Sequence, residues 1–254
     1  MSPPADTVPP GAALDGTPSL HVRRMGRADG GALPVVMLHG AVSGSLASWW
    51  MTCAPRVARA HPVVLYDLRG HGLSERPATG YRLRDHLDDL ARVTAHLDAF
   101  ALVGHSLGGW ISVEAARAWP DRVAALVGVD VPLGGIRPEL SLDEPDPVGA
   151  PGARRRRRHP IRLSHTSFRA DLEAETQVDA RSLAGVRCPT LMTFGRHSPF
   201  LAGAEIATAA LGAPAVRVFD GGHALHLDAT DQLSAAIVEF LSPTTAPTDE
   251  ASRG

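Results

Sequence analysis

Short, unbroken apolar runs alternate along the chain with longer stretches in which apolar residues recur every three or four positions. Val35-Val36-Met37-Leu38, Val63-Val64-Leu65-Tyr66 and Val123 to Val129 belong to the first kind, and the sheet is expected to resume at Pro189 to Gly195. Runs of this length and composition suit strands buried on both faces. Leu20 to Met25 and Ala215 to Phe219 read as further strands. Leu83, Leu87, Leu90, Val93 and Leu97 fall at helical spacing with a polar opposite face, which predicts a helix between Leu83 and Phe100. Further helices are expected at Ser48 to Arg59, around Phe168 to Val178, at Ala204 to Leu211 and at Leu233 to Leu241.

Strands alternating with amphipathic helices imply an α/β domain: a mostly parallel sheet with helices on both faces. Three stretches break the alternation. Residues 1–18 are rich in Pro, Gly and Ala and read as a flexible lead-in, and residues 242–254 read as a disordered tail. Between them, residues 133–185 carry many prolines and little periodicity, and are expected to form a cap or lid inserted over the sheet edge. The core is then residues 19–132 and 186–241. Ligands of such sheets sit beyond the carboxyl ends of the strands. His39, Asp67, Ser106, Asp130 and Gly195 all follow predicted strands, so they are expected on one rim.

Composition narrows the chemistry. All 25 basic residues are arginine, so lysine-based Schiff-base or general-base chemistry is excluded, and base catalysis falls to histidine and carboxylates. A net charge of -2 gives no reason to expect nucleic acid or membrane as a partner. Cys53 and Cys188 form neither a disulfide framework nor a C-x-x-C pair, and no signal peptide or transmembrane run is evident, so a cytoplasmic location is expected. No H-E-x-x-H pattern or tight cysteine pair points to a metal, and no cofactor is expected. Oligomeric state is not readable. The run Arg154 to Arg158 reads as a solvated loop, with attraction of an anionic substrate as the alternative.

The chemistry gathers at Gly104-His105-Ser106-Leu107-Gly108, a strand, a sharp turn and a helix start with serine at the apex. This is the G-x-S-x-G nucleophile elbow. A serine hydroxyl needs a base to take its proton, usually a histidine held by a carboxylate. His223 follows the last predicted strand after two glycines, later in the chain than the serine, and is the base candidate. His226 reads as structural.

Leu38-His39-Gly40, Asp67-Leu68-Arg69-Gly70-His71-Gly72-Leu73-Ser74, the elbow, Cys188-Pro189-Thr190-Leu191 and Gly222-His223, in that order, resemble the α/β-hydrolase superfamily from about residue 20 to residue 241. The resemblance implies that fold with a short cap, Ser106 as nucleophile, His223 as base, and an oxyanion hole from the backbone N–H groups of Ala41 and Leu107. One departure stands out: the family's Gly-x-x-Asp after the penultimate strand reads Gly195-Arg196-His197-Ser198. Asp130, at the end of the strand after the elbow helix, is the leading substitute, as in some relatives. A Ser-His dyad, or a cap carboxylate such as Asp171 or Glu173, stays open.

Trp49, after the oxyanion turn, and Trp110, in the elbow helix, are expected to contact substrate, while one tryptophan of the Trp49-Trp50 pair is expected in the core. His105 reads as a packing residue, His71 as bonding to backbone, Asp67 as shaping its loop, and Asp228 as a helix cap. The expectation is a serine hydrolase cleaving an ester, thioester or lactone of a small-molecule or carrier-bound acyl substrate. Acyl transfer, cyclisation or carbon–carbon cleavage at the same serine, and a ligand-binding pseudoenzyme, are the alternatives.

Overall fold

The computed structural model describes residues 13–14, 17–26, 31–41, 44–134, 163, 165–175 and 178–242. Its strands are β1 (Ala13–Leu14), β2 (Leu20–Met25), β3 (Val35–Leu38), β4 (Val63–Tyr66), β5 (Phe100–His105), β6 (Val123–Val129), β7 (Thr190–Gly195) and β8 (Val216–Phe219). They lie in the order β1-β2-β4-β3-β5-β6-β7-β8. From β4 to β8 all pairings are parallel, while β2 runs antiparallel to β4 and to β1. The α/β expectation holds, with one addition: β1, which lies inside the stretch expected to be a flexible lead-in, pairs with β2. A two-residue ladder leaves almost no periodic signal in a Pro- and Gly-rich sequence.

Side chains along a strand alternate between sheet faces, and the core divides accordingly. Val36, Leu38, Val64, Tyr66 and Leu102 join one buried cluster with residues of α3 (Leu83–Val93), α4 (Leu107–Ala118) and α7 (Gly203–Leu211). Val35, Met37, Val63, Leu65 and Val103 join another, against α1 (Ala47–Trp50), α2 (Ala54–Val57) and α9 (Thr230–Leu241). The expected helix from Ser48 to Arg59 is two short ones separated by residues 51–53, with Pro55, which cannot donate a helical N–H, in the first turn of the second. The helix expected to reach Phe100 ends at Val93, and Phe100 instead opens β5.

Part of the stretch expected as a cap is described. It contains α5 (Phe168–Glu173) and α6 (Ala180–Ala184). Phe168 is buried and sets its ring edge-on to His71 and Tyr81, at centroid separations of 5.7 and 5.6 Å. Asp171 accepts from the Tyr81 N–H at 2.9 Å, Glu175 from the Leu83 N–H at 3.1 Å, and Ser167 N–H donates to the Ala78 carbonyl at 2.8 Å. These bonds fasten α5 to the loop that enters α3. The run Arg154 to Arg158, most of the expected cap and all but the first residue of the expected tail lie outside the described residues. No helix among the described residues is long and apolar enough to cross a membrane.

Candidate active site

Ser106 stands between β5 and α4 with φ 53° and ψ −116°. Asp130, directly after β6, has φ 47°, and these two are the non-glycine residues with positive φ among the described residues. Such backbone costs about 1–3 kcal/mol per residue and persists where the surroundings enforce it, commonly at functional sites. The glycines of the elbow answer to crowding. A Cβ at Gly108 would lie 2.5 Å from the Leu38 carbonyl oxygen, and one at Gly104 would overlap the Gly108 carbonyl. The turn can form only with hydrogen at both positions.

His223 reaches the rim from the loop between β8 and α8 (Leu225–Asp228). Its Nδ1 lies 2.6 Å from Oδ2 of Asp130, whose side chain is fully buried. A carboxylate oxygen can only accept here, so Nδ1 carries the hydrogen and Nε2 the lone pair. The other carboxylate oxygen, Oδ1, accepts the Gly195 N–H at 2.9 Å, and Ser198 Oγ–H donates to Oδ2. The carboxylate is thus held by three donors, two at the end of β7 and one from the loop after β8.

The remaining acid candidates lie elsewhere. Asp171 is engaged with Tyr81 and Ser167, and Glu173 pairs with Arg169 at 4.0 Å on the surface. Asp130 is the carboxylate that the fold brings to His223.

His105 packs on the His223 ring with centroids 4.6 Å apart, and its Nε2–H donates to the His223 carbonyl at 2.8 Å. Burial and the neighbouring histidines keep the His105 imidazole well below its ordinary pKa, so it stays neutral. Burial likewise brings His226 down to about 4. Phe200 covers His223 edge-on at 4.9 Å. Asp228, expected as a helix cap, instead accepts the Gly222 N–H at 2.9 Å and steadies the loop that carries His223.

The turn after β3 prepares the other side of the site. Burial, with the nearby His71 as the next cause, lowers the His39 pKa to about 3, so His39 is a neutral imidazole. Its Nε2 accepts the Leu68 N–H at 3.0 Å, which places the hydrogen on Nδ1, and that donates to the Gly40 carbonyl at 2.9 Å. In a trans peptide C=O and N–H point opposite ways. Fixing the Gly40 carbonyl therefore fixes the direction of the Ala41 N–H. His71 faces the Ala41 and Arg69 carbonyls at 3.2 and 2.9 Å, as a backbone-binding residue should. Leu107 supplies the first N–H of α4, a position without an acceptor inside the helix. Asp67 accepts from Leu46 and Leu73 N–H groups and shapes its loop.

Trp49 and Trp110 correct the expectation that they contact substrate. They are 0 % and 1 % exposed, and their indole N–H groups donate to the Leu38 and Pro132 carbonyls at 2.9 Å each. Both indoles are too large and apolar for the rim to hold in water, and the two core layers absorb them. Trp50, by contrast, is only half-buried. The sequence points neither to Phe200 nor to a donor role for Ser198, which it marks only as the residue standing where the family's aspartate is expected. That position, three residues after Gly195, was the available signal.

The sequence profile of the family described as alpha/beta hydrolase fold matches residues 34–158. A solved enol-lactonase from Burkholderia xenovorans superposes with a TM-score of 0.75 at 19% identity, covering 91% of this chain and 99% of that one. The chain has the α/β-hydrolase fold. Among sequence relatives, a 2-(acetamidomethylene)succinate hydrolase of Mesorhizobium japonicum is 39% identical over 99 residues, 38% of this chain and 34% of its own. A non-heme chloroperoxidase of Streptomyces lividans is 34% identical over 140 residues, 54% of this chain and 48% of its own. The alignments thus span between a third and half of those relatives.

Proposed function

We propose that the protein is a serine hydrolase acting on a carboxylic ester, thioester or lactone through an acyl-enzyme. The observation that carries this reading is the 2.6 Å bond from His223 Nδ1 to the buried Asp130 carboxylate, on the same rim as Ser106 with its positive φ. In the proposed reaction His223 Nε2 takes the Ser106 hydroxyl proton as Oγ attacks the substrate carbonyl carbon. The N–H groups of Ala41 and Leu107 hold the negative oxygen, assisted by the N-terminal end of α4. His223 then returns the proton to the leaving group. Water, activated by the same nitrogen, releases the acyl group and restores Ser106. Asp130 keeps the proton of the neutral ring on Nδ1 and stabilises the imidazolium without taking its proton.

The hydrolase name of the Mesorhizobium relative, and the lactonase among the structural neighbours, support the reaction class. The substrate we infer is a small or carrier-bound acyl compound, met in the cytoplasm. The test is labelling by a fluorophosphonate probe together with hydrolysis of p-nitrophenyl acetate. Both are expected in the wild type and absent in Ser106→Ala. An unlabelled wild type overturns the reading.

A further inference from the structure

The turn Gly195 to Ser198 grips both oxygens of one carboxylate. Gly195 N–H donates to Asp130 Oδ1 at 2.9 Å, and Ser198 Oγ–H donates to Oδ2, the oxygen that also takes the His223 Nδ1–H. The turn is closed by the Ser198 N–H donating to the Gly195 carbonyl at 3.1 Å. A hydroxyl has a single hydrogen, and its direction here is settled by a second bond. Ser198 Oγ accepts the Phe200 N–H at 3.0 Å, which leaves its own hydrogen for Asp130. Ser198 is buried, and so is the carboxylate. Among the described residues, the group that can place a positive charge within ion-pair distance of Asp130 is His223 itself. The acid is therefore oriented by neutral donors.

We propose that Ser198 is a positioning residue for the reaction: its hydroxyl prevents the Asp130 carboxylate from turning away from His223 and shares the charge on Oδ2. This rests on the assignment of Ser106, His223 and Asp130 above. Without the hydroxyl, Gly195 still holds Oδ1, but rotation about the Cβ–Cγ bond is opposed on one side only. The charge on Oδ2 then falls on His223 alone and favours the imidazolium. The other groups facing His223 are His105 and Phe200 in ring contact and His226 beyond His105, and the change leaves them in place.

The experiment is steady-state hydrolysis of p-nitrophenyl acetate across pH by full-length wild type and by Ser198→Ala, Ser198→Cys and Ser198→Thr. Ser198→Ala is expected to lower kcat about tenfold with KM within about twofold. Its acid limb in kcat/KM is expected to move up by about half a pH unit. Ser198→Thr, which keeps the hydroxyl, is expected to recover most of kcat and the wild-type acid limb. Ser198→Cys, a weaker donor of similar volume, is expected to fall between, and it carries the test if the alanine variant does not fold. Adding Ser198→Ala to Asp130→Asn should change kcat less than about twofold, because a residue acting through Asp130 has nothing left to act on.

Wild-type kcat and acid limb in the alanine and cysteine variants overturn the proposal, as does an equal loss in the threonine and alanine variants. A reactive wild type with indifferent Ser198 variants overturns this inference alone. A wild type whose Ser106 does not react with fluorophosphonate overturns the hydrolase reading and, with it, this one.

Discussion

The backbone N–H of Ser106 donates to the carbonyl oxygen of Val129 at 3.0 Å, which ties the residue at the tip of the elbow to the residue that precedes Asp130. That bond extends the β5–β6 ladder, in which His105 stands beside Val129, past the end of the strands. Ser106 and Asp130 therefore share one frame, and His223 is brought to it by the loop after β8.

Replacing Asp130 by asparagine keeps the size of the side chain and removes its charge. The substituted side chain would offer His223 Nδ1 an amide in place of a carboxylate, so the imidazolium loses its counter-charge and the ring its enforced tautomer. The expected result is a fall in kcat for p-nitrophenyl acetate of about 10³–10⁴-fold with an unchanged circular dichroism spectrum. A loss smaller than tenfold would place the acid elsewhere.

His39 sets the orientation of the peptide between Gly40 and Ala41. In His39→Phe a ring of similar size stays, but the Gly40 carbonyl loses its donor and the Leu68 N–H its acceptor. We expect kcat to drop by about 10–100-fold with little change in KM, since the oxyanion forms only after binding. Stability should fall by about 1–3 kcal/mol for the unsatisfied groups. Urea titration and steady-state kinetics on one preparation separate the two effects, and a KM-dominated loss would contradict the assignment.

Trp49 gives a contrasting outcome, because it is a core residue. Trp49→Phe removes the indole N–H from the Leu38 carbonyl and part of the ring from the layer beneath α1 and α8. The unfolding free energy should fall by about 2–3 kcal/mol. The kcat/KM ratio among esters of increasing acyl length should stay at its wild-type pattern. A changed acyl-length preference would return Trp49 to the substrate pocket.

Acid should weaken the fold through its buried histidines. Burial holds His39 at about 3 and His226 at about 4, and keeps His86 and His105 well below 6.5. Between pH 6.5 and about 4 the unfolded chain takes up protons that the folded chain refuses. Stability therefore falls as pH falls, by up to about 1.4 kcal/mol per unit for each such histidine. Urea midpoints at pH 7.5, 6 and 5 should drop with a slope above that of a single proton. Neither ring nitrogen of His86 has a partner among the described residues, so His86→Leu should flatten that slope. A midpoint independent of pH over this range would refute the account.

The strands and the elbow were legible in the sequence because their signals are local. Val35–Leu38, Val63–Tyr66 and Val123–Val129 occupy the predicted positions, since a strand buried on both faces must be apolar at consecutive residues. The glycines around Ser106 declared a turn that no larger residue could make. Where the signal was weak, as in β1, the pairing partner decided the outcome.

The chain by itself thus determined the α/β alternation, the elbow and a histidine after the last strand, all properties of residues near one another in sequence. Only the tertiary structure decided which carboxylate faces His223, that Ser198 donates to it, and that Trp49 and Trp110 belong to the core. Those choices depend on which strand ends lie side by side, here β6 beside β7, and on which face each side chain leaves its element. Residues far apart in the chain meet at that edge, and no local pattern records their meeting.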